Sequence, residues 1–386
     1  MGFKLPNGGD LSEEQLDIIN LPTTKDWLIK GAPGTGKTVM AIYRAGQASQ
    51  SARGKPVLML VYNRPLMQFI STAVRGRDFN NVQVNTYHSW VNDIYKEHRL
   101  GTIPKDGDDH DWEEIASDLS RVGKKYAHVI VDEAQDFPIE LLKILKALSG
   151  HMTCFIDPNQ AIEEGRTDTY EAIRALCVEA PYTLTRNFRN TKPIRDLSAL
   201  YCRDGQPAPA TSRGKKPVII KCIPSDFDDQ NQKMVNIIKR NKEKEIGIIV
   251  NPRALNPLYN SLRGYLPDDL NVQMHKPMTN HWIDFDQPGV KIVSYGTMKG
   301  LEFDIVLLPM FDKIETQNDE IVNANRVYVA VSRAVSELYL FYWKESPSAG
   351  KIDTMSALTA HREMLEWRDQ EVEGRSTRTR PASWLA

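Results

Sequence analysis

Residues 31–38 read Gly-Ala-Pro-Gly-Thr-Gly-Lys-Thr, directly after the apolar run Trp27-Leu28-Ile29 and directly before a helical pattern that starts at Val39. That order of strand, glycine-rich turn and helix is what a triphosphate cradle needs. The loop residues Gly31, Ala32, Gly34, Thr35 and Gly36 can turn successive backbone N–H groups inward onto phosphate oxygens, at a helix N-terminus whose dipole favours negative charge. Lys37 can reach the outer phosphates, and the Thr38 hydroxyl can serve Mg²⁺. A chance match in a chain of this length is expected on the order of once in a hundred, so a nucleotide site is the reading to carry forward.

A second chemical signature follows the strand-like run Tyr126-Ala127-His128-Val129-Ile130-Val131, which ends in Asp132-Glu133-Ala134-Gln135-Asp136. Acidic residues at a strand's carboxyl end lie where ligands bind in open α/β sheets. Asp132 is placed to hold Mg²⁺ through water, and Glu133 to orient and deprotonate an attacking water. The competing reading, an Asp that merely caps a helix, loses weight because a phosphate loop precedes it.

The elements that must position these groups are short apolar runs separated by helical patterns, at 27–30, 56–62, 127–131, 152–156, 217–223, 245–250, 290–295, 304–310 and 337–343. Such a rhythm predicts buried parallel strands in α/β units. The runs fall into an early and a late group, and the Pro- and Gly-containing stretch 178–215 suits a crossing between them. The expected organisation is a domain at 1–178, a second at 179–370 and a polar, flexible tail at 371–386. Residues 99–113 read as an exposed polar insertion, and 239–245 as a solvated helix end of mixed charge.

The chain has 386 residues, 41% hydrophobic and 26% charged, with a net charge of -1. That length supports two sizeable cores. No global basic field announces nucleic acid, so any such site must be a local groove. The four cysteines show no metal-ligand spacing, and no apolar run approaches a membrane span, so a reducing cytoplasm without membrane attachment is expected.

The remaining motifs narrow the family. DEAQD at 132–136, FIDPNQAI at 155–162, LTRNFRNT at 184–191, KGLEFD at 299–304 and YVAVSRA at 328–334 resemble, in order, the motifs of superfamily 1 helicases of the UvrD/Rep type. The resemblance runs from about Leu11 to Tyr342, and its specificity lies in the ordered set. It implies an α/β fold of two RecA-like P-loop domains with parallel central sheets and a nucleotide cleft between them. By the same resemblance Gln15 recognises adenine, Phe188 stacks on it, Gly300 and Glu302 contact the nucleotide with Glu302 at the ribose, and Gln160 senses the γ-phosphate. Arg189 and Arg333 match the two arginines that reach the γ-phosphate from the second domain, which would link closure to hydrolysis. Tyr62, Asn63, Thr86, His88 and Ser294 match positions that contact single-stranded nucleic acid, and Trp90 and Trp282 offer stacking faces, although core packing suits each better. The implied ligands are ATP, Mg²⁺ and single-stranded DNA, with RNA left open.

Three departures bear on the strand path. After Gln160 the chain continues Ala161-Ile162-Glu163-Glu164-Gly165-Arg166 without the family's base-stacking Trp, Gly296 replaces a common histidine, and Pro65 replaces a small helix-former. The large insertions that family members use on duplexes are largely missing, which predicts a stripped motor core. The leading expectation is therefore an ATP-dependent translocase or helicase moving 3′ to 5′. The alternative is a DNA-sensing ATPase subunit whose nucleotide state licenses a partner nuclease, as in two-component phage-defence systems. A small-molecule P-loop kinase fits least, because it needs no second domain with paired arginines.

Overall fold

The computed structural model describes residues 5–52, 54–64, 66–67, 70–71, 79, 81–107, 109–160, 170–177, 180–202, 208–275, 283–284, 287–314, 320–344 and 354–368. The expectations at Pro65, residues 161–166, Trp282 and the tail 371–386 lie outside the described residues. Two compact units emerge, Phe3–Asn187 and Phe188–Ala386.

In the first unit, strands β1 (Trp27–Gly31), β2 (Val57–Val61), β3 (Val82–Thr86), β6 (Tyr126–Val131), β7 (Ser149–Ile156) and β8 (Tyr182–Leu184) form one sheet in the order β3-β2-β6-β7-β1-β8, while β4 (Lys105–Asp106) and β5 (Asp109–His110) make a small antiparallel hairpin. Every pairing in the large sheet is parallel. β1 connects to β2 across two intervening strands, so the crevice at the carboxyl ends of β1, β7 and β6 is a topological switch point, where such sheets bind ligands.

Strand periodicity explains the two helical layers. Val57, Met59 and Val61 of β2 pack on one face with Met40, Ala41 and Ala45 of helix α2 (Lys37–Ser51). Leu58 and Leu60 pack on the other face with Trp90 of α3 (Tyr87–His98), Ile115 of α4 (Trp112–Leu119) and Leu141 of α5 (Ile139–Leu148). Helix α1 (Glu13–Asn20) starts at Ser12, whose hydroxyl and the Gln15 side chain form a reciprocal capping box. Arg44 of α2 is fully buried and donates to the carbonyl oxygens of Ile19, Leu21 and Pro22, satisfying the end of α1.

Two expectations change here. The segment 99–113 is not simply an exposed insertion, because His110 and Trp112 are 6% and 8% exposed and Trp112 joins the core beneath α3. The expected boundary at 178/179 moves to 187/188, because β8 pairs with β1 and so belongs to the first sheet.

The second unit carries β9 (Asn187–Thr191) and β10 (Ala210–Ser212) as a two-stranded sheet, and a parallel seven-stranded sheet. The larger sheet contains β11 (Val218–Lys221), β12 (Ile246–Val250), β13 (Val272–Met274), β14 (Val290–Ser294), β15 (Phe303–Leu308), β16 (Ala334–Tyr342) and β17 (Glu366–Arg368), in the order β13-β14-β12-β15-β16-β11-β17. Ile246, Ile248, Val250, Ile292, Ile305 and Leu307 form one core with Met234, Val235 and Ile238 of the helix Phe227–Lys239. Glu245 departs from the solvated reading: it pairs with Lys291, a fully buried lysine inside β14, at 2.9 Å. Burial pushes the Glu245 carboxyl up to about 6 against the pull of Lys291. Among the described residues no helix is long and apolar enough to cross a membrane.

Candidate nucleotide and nucleic-acid sites

The glycine-rich loop joins β1 to α2. Gly34 and Gly36 adopt φ of 76° and 90°, a left-handed geometry that L side chains resist. A Cβ on Gly36 would also lie 2.6 Å from Gln15 Nε2, so the turn and the side chain packed on it both require glycine. Thr35 is buried and its hydroxyl donates to the Ala32 carbonyl at 2.9 Å, which closes the loop on itself. Lys37 Nζ donates to the carbonyl oxygens of Gly31 (2.9 Å) and Ala32 (3.2 Å), so the ammonium lies along the inside of the loop.

Gln15, expected at the adenine, braces the loop. Its Nε2 donates to the Thr35 carbonyl at 3.1 Å, and its Oε1 accepts from the Ser12 N–H at 3.0 Å.

Thr38 Oγ1 donates to Asp132 Oδ2 at 2.7 Å, which brings together the two groups expected at Mg²⁺. Asp132 is fully buried, and its carboxyl is pushed up to about 7, first by burial and then by the neighbouring Glu133 charge; the Thr38 bond and Lys37 oppose the rise. Glu133 sits at φ 54°, ψ 45°, a conformation that costs a non-glycine residue on the order of 1 kcal/mol. The surrounding bonds hold it there. Gln135 Nε2 donates to Glu133 Oε2, and Gln135 Oε1 accepts the Asp157 N–H at 3.1 Å. Asp157 Oδ2 then accepts from Gln160 Nε2 at 2.7 Å, and Asp157 Oδ1 accepts the Asn159 N–H at 3.1 Å. Burial raises the Asp157 carboxyl, with Lys37 again pulling the other way.

The carboxyl ends of β6 and β7 are therefore joined by a buried relay, Glu133–Gln135–Asp157–Gln160. Gln135 holds the relay together without belonging to any expected role in the motif. Its signal was present, since a glutamine two residues after an acidic pair, leaving a buried strand, needs partners for both ends of its amide.

The residues matched to a nucleic-acid strand divide by burial. Thr86 is 4% exposed and caps α3, its Oγ1 accepting the Ser89 N–H at 3.4 Å. Asn63 Oδ1 accepts the Leu66 N–H at 2.9 Å, and Tyr62 packs partly buried against the core. His88 is exposed, with Nδ1 3.2 Å from His110 Nε2. Trp90 is core, donating Nε1–H to the Tyr126 hydroxyl at 3.0 Å. In the second unit Ser294 is 2% exposed and shares a 3.0 Å hydroxyl contact with Thr297.

Also in the second unit, Phe188 leaves 42% of its surface exposed, as a stacking face requires. Gly300 takes φ 76° immediately before Leu301 and Glu302. Arg189 is ion-paired with Glu302, so the two residues expected on opposite parts of a nucleotide are bonded to each other. Arg333 is 1% exposed, donating to the carbonyl oxygens of Val329 (3.0 Å) and Leu301 (3.4 Å) and to the Ser332 hydroxyl (3.1 Å). Its guanidinium thus also satisfies the last turn of the helix Glu320–Val331.

Comparison with known proteins gives a family model described as the Schlafen group 3 DNA/RNA helicase domain, which matches residues 25–201. No curated protein matches the sequence. Among solved structures, Saccharomyces cerevisiae Dbp5 bound to RNA and ADP-BeF3 is similar at 12% identity and a TM-score of 0.54, over 93% of this chain and 90% of that one. A point variant of the same protein, with the same ligands, is similar at 13% identity and 0.54, over 94% and 95%. The arterivirus nonstructural protein 10 helicase matches at 16% identity and 0.42, over 85% of this chain and 61% of that one. With parallel six- and seven-stranded sheets in its two units, the chain has the α/β fold of paired RecA-like helicase domains.

Proposed function

We propose that this chain is an ATP-hydrolysing motor of the superfamily 1 UvrD/Rep type that moves 3′ to 5′ along single-stranded DNA. The observation that carries the reading is the meeting of Thr38, Asp132 and Glu133 at the phosphate loop, tied through Gln135 to Asp157 and Gln160. The helicase-domain match and the RecA-like fold support the same reading.

The residues fit ATP and Mg²⁺. The loop offers glycine-permitted backbone N–H groups at the start of a fifteen-residue helix, and an ammonium held inside it. Thr38 and Asp132 supply hard oxygen donors, and magnesium binds through one or two protein oxygens plus phosphates and water. When bound, Mg²⁺ would neutralise phosphate charge and keep Asp132 ionised despite its burial.

The chain's own groups divide the work. Lys37 supplies positive charge to the phosphates, and Glu133 accepts a proton from the attacking water. Gln135 fixes the Glu133 carboxylate by donating to it, so the base does not swing. Gln160, bonded to Asp157 on the same relay, converts the state of the phosphates into a displacement of the β7 end. Arg189 and Arg333 stabilise charge developing on the transferred phosphoryl group. For Arg189 this requires release of, or sharing with, Glu302, and for the buried Arg333 it requires release of bonds to Val329, Leu301 and Ser332.

ATP turnover by the purified protein, with and without DNA and RNA oligonucleotides, tests the reading. Turnover that rises with single-stranded DNA supports it. A preference for RNA would change the substrate, and indifference to either would remove the motor.

A further inference from the structure

The hairpin β4–β5 is absent from the motif set, yet it delivers a histidine to one of the expected strand contacts. His110, the last residue of β5, is 6% exposed, and its Nε2 lies 3.2 Å from Nδ1 of His88 at the start of α3. The rings are 5.3 Å apart between centroids, and the Trp112 indole stands edge-on to His110 at 5.0 Å. On the other side Tyr87 flanks His88 at 3.9 Å. Both imidazoles are thus held in place, and one nitrogen of each is committed to the other.

When both rings are neutral, the single N–H between them has two arrangements. If His88 donated from Nδ1, the His110 proton would have to sit on its own Nδ1, which is buried and has no hydrogen-bond partner among the described residues. An unpaired buried N–H costs about 1–3 kcal/mol and is seldom found. If His110 donates from Nε2, its Nδ1 carries only a lone pair, and the His88 proton is forced onto Nε2. Protonation of His110 does not offer a third arrangement, since burial and the nearby Lys105 both hold it in the neutral form against the smaller effect of Asp109.

We propose that His110 is a positioning residue for His88: it donates to His88 Nδ1 and so keeps the exposed His88 ring as an Nε2–H donor for an acceptor atom on the bound single strand. This rests on the motor reading given above. The hairpin then acts as a clamp that selects the tautomer of a strand contact, and Trp112 anchors the clamp in the core beneath α3. The donor needs an acceptor with a lone pair, such as a phosphate oxygen or a base carbonyl.

The test compares the full-length protein with His110→Gln, which keeps an N–H donor, and His110→Leu, which fills the space without one. ATP turnover is titrated with single-stranded DNA, and the His88 tautomer is read from its nitrogen chemical shifts in the wild type. The expected result is an Nε2–H tautomer for His88. For His110→Leu the half-saturating DNA concentration should rise about ten-fold, the loss of roughly one charge-assisted hydrogen bond, with turnover at saturation changed less than about two-fold. His110→Gln should stay near the wild type. A His88 proton on Nδ1, or a His110→Leu titration matching the wild type, overturns the proposal. Should His110→Leu fail to fold, the wild-type spectrum and the His110→Gln titration decide. Should no strand stimulate the wild type, the motor reading fails, and the spectrum reports separately whether the pair is arranged as described.

Discussion

His128 gives the most quantitative test of how the nucleotide site is held together. It lies on β6, 1% exposed, with Nδ1 3.1 Å from the Thr23 carbonyl ahead of β1 and Nε2 2.8 Å from the Thr153 hydroxyl on β7. One neutral imidazole therefore joins the three segments that lead to the phosphate loop, to Asp132 and to Asp157. Burial, assisted by the charge of Arg44, lowers its pKa to about 3. An unfolded histidine titrates near 6.5. The folded state binds the proton less well, so this contribution to stability is complete above about pH 6.5 and is lost as pH falls from there toward 3. At pH 5 the linkage relation gives a loss of about 2 kcal/mol relative to pH 7, rising toward about 5 kcal/mol below pH 3. The pH 5 figure hardly depends on where below about 4 the folded value lies, because the unfolded chain's proton uptake sets it. Urea unfolding at pH 7 and pH 5 should show this excess loss for the wild type over His128→Gln, whose amide can bond Thr23 and Thr153 but cannot charge. Parallel losses in the two proteins would refute the reasoning.

Three further outcomes are expected. Lys37→Ala and Glu133→Gln should both abolish ATP hydrolysis, while Glu133→Gln still binds ATP in a nucleotide-binding assay, since the amide keeps the relay bond to Gln135 but accepts no proton. Arg333→Ala should lower turnover by roughly 10³-fold or more if the guanidinium acts on the phosphoryl group, and turnover near that of the wild type, with a lowered melting temperature, would leave it the purely structural role its bonds to Val329 and Leu301 describe. Lys291→Met should destabilise the second unit by about 3 kcal/mol near neutral pH, as removal of one partner strands a buried carboxylate, and by less at pH 5, where Glu245, already raised to about 6, takes up a proton; denaturant melts at the two pH values check this.

Much of this architecture was legible in the sequence, for reasons that differ by element. Central strands such as β2 and β12 are buried on both faces, so their runs are continuous and apolar and announced themselves. The edge strands β3, β8, β13 and β17 have mixed burial and lacked such runs, and missing β8 displaced the expected domain boundary. The loop from Gly31 to Thr38 and the acidic pair were readable because their spacing along the chain is their chemistry. The Gln135–Asp157 link joins the segments that follow two different strands, β6 and β7, and the His88–His110 pair joins a helix start to a hairpin, so neither has a local pattern. The hairpin segment reads as exposed for a simple reason: its acidic residues dominate the composition, while two buried side chains, His110 and Trp112, determine how it packs.

Movement along a strand tests the central claim most directly. With single-stranded DNA of increasing length, labelled at the 5′ end, mixed with protein and then with ATP, the signal should appear after a lag that grows in proportion to length. The lag should vanish with a 3′ label, and Glu133→Gln should give no signal. ATP turnover stimulated by DNA, with a lag independent of length, would contradict directed motion and leave a nucleotide-gated strand sensor in its place.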